Sequence, residues 1–326
     1  MMKVDWTSLH GKHFRGSRVL VTGGAGFIGS HLCDALVQLG AKVVVIDDLS
    51  GGDTANLPGD VEFVRASILD LPALDRAMGG CRFVFHQAAL GSVPRSVEEP
   101  RLYHDVDSTG TLNVLESARL AGAKRVMFAA SSSVYGDAAP NLAKVETMPM
   151  LPRSPYAAAK SAGEALMGAY ARSLGIDTVS LRYFNIFGPR QNANSAYAAV
   201  IAAFAKAMMA NDSPNIFGDG SQSRDFTFVI NAVHANLLAA ACPHPLDGEA
   251  INVAMGHSVT VHELVMKMSA LFGPNAKPAH YGPVRAGDVL HSLADISEAK
   301  TLLGYEPLVG FDEGLRQTVD WYRRPT

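Results

Sequence analysis

Tyr156 and Lys160 stand four residues apart in Tyr156-Ala-Ala-Ala-Lys160, a spacing that puts a phenol and an ammonium on one helix face, one turn apart. A cation so placed can depress the phenol's pKa and make it a proton carrier. The hydroxyl run Ser131-Ser132-Ser133 precedes the pair, and Ser131 is placed to hydrogen-bond a reacting hydroxyl. A tyrosine of this kind can take a proton from an alcohol while a hydride leaves. Such chemistry needs a hydride acceptor, and the segment TGGAGFIGS, Thr22 to Ser30, has the form of a place to hold one.

That segment has the right surroundings. Arg18 to Val21 reads as a short buried strand, Gly23, Gly26 and Gly29 follow at three-residue spacing, and a helical run, HLCDALVQLG, begins at once. Backbone can therefore come close to a phosphate at the positive end of a helix. Lys42 to Ile46 reads as a strand buried on both faces and ends in Asp47 and Asp48. Asp47 lies about twenty residues beyond the glycines, where a carboxylate accepts hydrogen bonds from ribose hydroxyls and repels a 2′-phosphate. The expected cofactor is NAD rather than NADP.

The elements that must position these groups alternate along the chain. Further strands are expected at Val61 to Arg65, Arg82 to His86, Lys124 to Ala130 and Asp177 to Arg182, and helices at Thr109 to Ala121 and Pro155 to Leu174. Ser154 suits the cap of the last helix, Pro155 its first position and Gly175 its end. This is the pattern of an α/β fold, a Rossmann-type doubly wound parallel sheet. After Tyr183, Gly, Pro, Asn and short apolar runs dominate. The expected division is an NAD-binding domain over 17–183 and a smaller mixed α/β substrate domain over 184–326, with segments around 225–255 returning to the first.

Composition fits a soluble intracellular enzyme. The 326 residues are 48% apolar with a net charge of -3, enough for a sizeable core and without strong attraction to nucleic acid or other polyanions. Cys33, Cys81 and Cys242 have neither metal-ligand nor redox spacing, which points to reduced thiols in a cytoplasmic setting. The eleven histidines are scattered, so no metal is expected. The first sixteen residues lack the apolar core of a signal peptide, no run is long enough to cross a bilayer, and Trp6 is expected to pack this polar extension down.

Taken together, TGGAGFIGSHL, HQAALGSVPRS, SSSVYGD, SPYAAAK, LRYFNIFGPRQ, GDGSQSRDFTFV and RAGDVLHSLADISEAKTLLGYEP make the chain resemble the extended short-chain dehydrogenase/reductase family over Val19 to Pro307. Within it the chain is most similar to the nucleotide-sugar 4-epimerases, and among these to the bacterial UDP-N-acetylglucosamine 4-epimerases of surface polysaccharide synthesis. The resemblance implies tightly held NAD, Tyr156 as the proton carrier at the sugar 4-hydroxyl, a transient 4-keto sugar and no net redox change. It implies cofactor contacts at Phe27 and Ile28 beside the glycines, at Ser67 and Ile68, at Gln87, Ala88 and Ala89, and at Tyr156, Lys160 and Tyr183, with Lys160 also bonding the nicotinamide ribose. For the UDP-sugar it implies Asn185, Gln191 and Arg224, with Arg285 and Asp288 on the diphosphate and uridine ribose. Gly91, Ser92, Ser132, Ser133 and Ser292 are the residues implied to line the sugar pocket. A homodimer through the helices at Thr109 to Ala121 and Pro155 to Leu174 is implied as well.

Departures narrow the reading. Ser67 stands where an Asp usually bonds the adenine amine, and Asp107 stands where Asn is usual. Related dehydratases carry Asp-Glu where this chain has Ser132-Ser133, which argues against dehydration. The leading expectation is a UDP-N-acetylglucosamine/UDP-N-acetylgalactosamine 4-epimerase that can also take UDP-glucose and UDP-galactose. The alternatives are a UDP-uronate 4-epimerase, another NAD-dependent nucleotide-sugar enzyme on this scaffold, or a non-catalytic NAD-binding regulator.

Overall fold

Six strands form in order as β1 (Arg18–Thr22), β2 (Lys42–Asp47), β3 (Val61–Arg65), β4 (Phe83–His86), β5 (Arg125–Ser131) and β6 (Asp177–Tyr183). The computed structural model describes residues 4–137, 142–193, 199–283 and 290–324. A later strand, Glu249–Val253, adds beside β6, and the seven-stranded sheet is parallel throughout in the order Glu249–Val253, β6, β5, β4, β1, β2, β3. β1 pairs with β2 on one side and β4 on the other, so the strand order reverses there and a crevice opens at the strands' C-terminal ends. The β1, β2, β4 and β5 runs are nearly continuous in apolar residues because helices cover both faces.

The helices preceding the centre of the chain are α1 (Trp6–His10), α2 (Phe27–Gln38), α3 (Leu71–Met78), α4 (Val93–Glu98), α5 (Pro100–Tyr103), α6 (Gly110–Leu120) and α7 (Pro155–Leu174). Behind them come α8 (Val200–Met209) and α9 (Val229–Ala241), and α9 lies against α2, β5 and β6. α7 starts as its residues dictate: Ser154 Oγ accepts the Ala157 N–H at 3.1 Å, Pro155 takes the first turn, and Gly175 ends the helix in the left-handed region. The expected helix at Thr109 to Ala121 differs at its start. Residues His104–Thr109 form a wide π turn before α6 begins, and the Thr111 hydroxyl donates back to the Asp107 carbonyl at 2.7 Å, taking up an acceptor that a regular helix would spend on backbone.

Arg125 anchors the bottom of the sheet. Its fully buried guanidinium donates to Asp177 Oδ2 and to the carbonyls of Ala239, Cys242 and His244, so β5, β6 and the end of α9 share one cation. The three cysteines are buried free thiols. Among the described residues no helix is long and apolar enough to cross a membrane.

At the N-terminus, Trp6 is 3% exposed and α1 packs on α2 and α9. His10 Nε2 meets His234 Nδ1 of α9 at 3.1 Å, and burial pushes both imidazoles down to about 4. Their folded-state pKa lies below the ordinary 6.5, so the unfolded chain binds more protons, and stability present above pH 6.5 is lost as pH falls toward 4. In a Trp321→Phe background, Trp6 fluorescence and thermal melting followed over that window are expected to show α1 loosening on acidification; a flat response would contradict the buried neutral pair.

Candidate active site

The turn after β1 is made by Gly23, whose φ of 67° lies in the left-handed region and whose N–H donates to the Ile46 carbonyl at 2.9 Å. A side chain there would also strike backbone, since an added Cβ would lie 2.6 Å from the Ala88 nitrogen. Gly29, one turn into α2, is pressed against the Gly23 carbonyl in the same way. Gly26 occupies the cap of α2 and brings no side-chain acceptor, so the first N–H groups of that helix remain to be met by something else. Gly26, Phe27, Ile28 and Gly29 line a cavity of about 800 Å³, and Asp47 and Asp48 line it from the end of β2.

The Asp47 carboxylate accepts Ala25 N–H at 3.0 Å and Leu49 N–H at 2.8 Å, while burial raises its pKa. Bare helix-terminal donors and an acceptor at the neighbouring strand end fit the pyrophosphate and ribose of a dinucleotide. Ser67, Ile68, Gln87, Ala88 and Ala89 continue the same wall. Gln87 is locked by a ring of polar contacts: Tyr183 OH donates to Gln87 Oε1, the Gln87 amide donates to Asn236 Oδ1, and Asn236 Nδ2 donates to Tyr183 OH.

Beneath this wall runs a buried hydrogen-bonded chain. Thr111 Oγ1 spends its proton on the Asp107 carbonyl, so it must accept from His86 Nε2 at 3.0 Å. His86 Nδ1 then accepts from Thr22 Oγ1 at 2.8 Å, and the Thr22 oxygen accepts the Ala88 N–H at 3.2 Å. Burial drives His86 down to about 3 and keeps it neutral, as this sequence of donors requires.

β5 delivers Ser131 to the cavity at its C-terminal end, and a tight turn at Ser132–Tyr135 follows. Ser131 Oγ accepts from Ser133 N–H at 3.2 Å and pairs with the Ser133 hydroxyl at 2.9 Å. Tyr156 lies in hydrogen-bond contact with Ser131 and edge-on to Tyr103, with ring centres 6.3 Å apart. Lys160 is buried; its Nζ donates to the Ala129 carbonyl at 2.9 Å and stands 4.8 Å over the Phe128 ring.

Lys160 was expected to depress the Tyr156 pKa, but burial instead pushes the phenol up to about 12, with Asp107 and Tyr103 adding to the rise and only the Ser131 contact opposing it. The Lys160 amine is directed to the Ala129 carbonyl, and burial pulls its own pKa down.

The remaining implied residues divide into three groups. Gly91, Ser132, Ser133, Tyr183, Asn185, Gln191, Arg224 and Ser292 all line the cavity. Ser92 does not; its hydroxyl caps α4 by accepting Arg95 N–H and its own N–H donates to Tyr103 OH, so it shapes the wall from behind. Arg285 and Asp288 lie outside the described residues. Arg224 and Ser292 are direct neighbours, paired in register between Ser223–Arg224 and His291–Ser292.

Sequence reasoning missed several members. Lys144 lines the cavity although it is 2% exposed, and its Nζ donates to the Gly136 carbonyl at 2.8 Å. Burial and the nearby Arg224 lower it to about 8. Asn236 and Asp225 were missed too. A second cavity of about 360 Å³ adjoins the first through Asn185, Ile186, Ala199, Arg224 and Val93, and is walled further by Asn215, Phe217 and Gln222. Val200, Ile201, Ala203 and Phe204 of α8 add to its wall. Among the described residues no three His, Cys, Asp or Glu side chains group as a metal site.

Residues 19–254 match the model of the NAD dependent epimerase/dehydratase family. The chain is 40% identical to a UDP-N-acetylglucosamine 4-epimerase from Methanobrevibacter ruminantium solved with UDP-N-acetylmuramic acid, covering 94% of this chain and 98% of that one with a TM-score of 0.89. It is 38% identical to the UDP-glucose 4-epimerase of Mycolicibacterium smegmatis, over 94% of this chain and 98% of the relative. A UDP-glucuronic acid 4-epimerase from Bacillus cereus, solved with UDP-glucuronic acid and NAD, is 30% identical with a TM-score of 0.87, covering 94% and 99% of the two chains.

Gly23→Ala tests the glycine turn. A Cβ at positive φ costs about 1–2 kcal/mol before the clash with Ala88 is counted, so dinucleotide binding is expected to weaken at least about tenfold. Titration calorimetry, or assay of nicotinamide cofactor released on denaturing the purified protein, measures this; unchanged retention would remove the turn from the binding site.

Proposed function

The chain belongs to the NAD dependent epimerase/dehydratase family, and from that premise we propose that it is a UDP-sugar 4-epimerase whose preferred pair is UDP-N-acetylglucosamine and UDP-N-acetylgalactosamine. The observation that carries the reading is the convergence of Ser131, Tyr156 and Lys160 with the glycine turn and Asp47 on one cavity. NAD would be held by the glycine turn, the bare start of α2 and Asp47, and when bound would supply the hydride acceptor and donor for carbon 4 of the sugar.

The chain's own residues handle the proton and the positioning. Acting as its phenolate, Tyr156 takes the proton of the 4-hydroxyl and later returns it to the oxygen of the 4-keto sugar, while Ser131 holds that oxygen. Lys160 stays fixed to the end of β5 and keeps α7, and with it the phenol, at a set height above Ser131. Arg224 suits diphosphate oxygens because its planar fork can donate two bonds at once. The adjoining cavity, floored by Asn215 and Phe217, is assigned to the uridine. A homodimer through α6 and α7 is part of the same proposal.

The preference for N-acetylated sugars rests on Ser292. It is small, 5% exposed, and in register with Arg224, so it forms the wall of the sugar end. A second reading, a UDP-uronate 4-epimerase, is favoured by Lys144, a buried ammonium on the same cavity that would suit a sugar carboxylate.

Incubation of the purified protein with UDP-sugars and no added NAD, followed by product analysis, tests the assignment; conversion of UDP-glucuronate alone would favour the second reading. Tyr156→Phe is expected to lower kcat by about 100- to 10,000-fold while cofactor content stays the same, and wild-type rates would end the mechanism. Ser292→Tyr is expected to abolish turnover of UDP-N-acetylglucosamine and spare that of UDP-glucose, because a rigid ring would occupy the acetamido space. Equal losses on both sugars would count against the pocket assignment.

A further inference from the structure

Gln191 lines the cavity, but what fixes its place lies outside it. Its Nε2 donates to the Ile186 carbonyl at 3.1 Å, while Oε1 is buried without a hydrogen-bond partner among the described residues. A buried acceptor left bare is costly, so this amide oxygen is poised for a donor on a ligand. Where it stands then decides how well that donor is met.

The backbone carrying Gln191 is strained. Asn185 and Arg190 have φ of 37° and 68°, in the left-handed region although both carry side chains. Such backbone persists only where its surroundings over-determine it, and here two helices do so. From α2, the buried His31 donates its Nε2–H to the Pro189 carbonyl at 2.9 Å, and Asp34 Oδ2 lies 2.8 Å from the Arg190 guanidinium, an ion contact rather than an aligned hydrogen bond. His31 and Asp34 are three residues apart and share one face of α2. From the helix Phe311–Tyr322, Tyr322 OH donates to the Gln191 carbonyl at 2.6 Å. Arg190 and Asp34 do not line the cavity, and their side chains are 21% and 28% exposed, so the pair can be broken without stranding a charge in the core.

We propose that Arg190 and Asp34 are positioning residues for substrate binding: their ion pair fastens Pro189–Gln191 to α2 and so sets where Gln191 meets the UDP-sugar. The helix that offers its bare N-terminal N–H groups to the cofactor thus also carries one wall of the substrate end.

The proposal rests on the UDP-sugar reading of the cavity, and a binding arm keeps the two separable. UDP-N-acetylglucosamine is titrated calorimetrically into the NAD-containing Tyr156→Phe protein, where turnover does not intrude; binding without epimerisation by the unsubstituted chain would sink the epimerase reading and leave this test standing. Asp34→Ala is expected to raise the Kd about three- to fivefold, the scale of a partly exposed ion pair, with NAD content unchanged. With Tyr156 in place, the same substitution is expected to raise KM and leave kcat alone. Arg190→Gly removes the same pair while suiting the left-handed backbone, and is expected to cost the same affinity, whereas Asp34→Glu is expected to restore most of it. In a Gln191→Ala background, Asp34→Ala is expected to change the Kd no further, since the pair acts through that side chain. A Kd unmoved by both Asp34→Ala and Arg190→Gly, or an equal loss with Gln191 absent, would overturn the proposal and leave the pair as a tether of the fold alone.

Discussion

A lysine held inside the protein at the end of a strand is the constraint on which the site depends. Lys160 is 2% exposed, so its amine needs a partner where it lies. The Ala129 carbonyl and the face of Phe128 meet that need, and both belong to β5. The bond therefore fixes the height of α7 over the sheet at one turn from Tyr156 and two residues from Ser131. Phenol and hydroxyl meet because the lysine between helix and strand permits little else.

The same economy governs the cofactor wall. A neutral histidine on β4 is bonded on one side to the threonine that closes β1 and on the other to the first turn of α6. Because each hydroxyl in the chain has only one proton to give, the donor directions are set from the Asp107 carbonyl back to the Ala88 N–H. Three backbone segments around the glycine turn, at Thr22, His86–Ala88 and Asp107–Thr111, are thereby held by hydrogen bonds alone. Protonating His86 would leave Thr22 and the ring both donating, which explains why burial has to keep this imidazole neutral.

Local chemistry made much of this legible from residues alone. Strands buried on both faces carry unbroken apolar runs, the glycines mark a turn that admits no side chain, and Ser154-Pro155 with Gly175 brackets α7 by its caps. What stayed hidden depends on distant parts of the chain. The π turn at His104–Thr109 has the same residue spacing as an ordinary helix start, and only the back-bond from Thr111 and the carboxyl of Asp107 against Leu90 distinguish it. The Tyr156 spacing correctly put a phenol and a lysine on one face, yet spacing carries no information on burial, and burial decides the direction of the phenol's pKa.

The sugar end of the cavity shows why irregular segments resist such reading. Ser292 is positioned by Asp225, a fully buried carboxyl that accepts N–H groups from Met255, Gly256 and Ala294 while its chain neighbour Arg224 pairs with Ser292. Three backbone segments, one of which carries the candidate phosphate-binding guanidinium, converge on that one side chain. Burial nonetheless pushes Asp225 up to about 7 despite these donors. Part of the cost of a buried carboxyl is thus left unrecovered, and what it supports is a fixed separation between Arg224 and the wall at Ser292. Under the proposed reading, in which Arg224 binds the diphosphate, the wall at its register partner Ser292 is held in place by the same carboxyl, so the size of that one serine bears on the sugar end of the pocket.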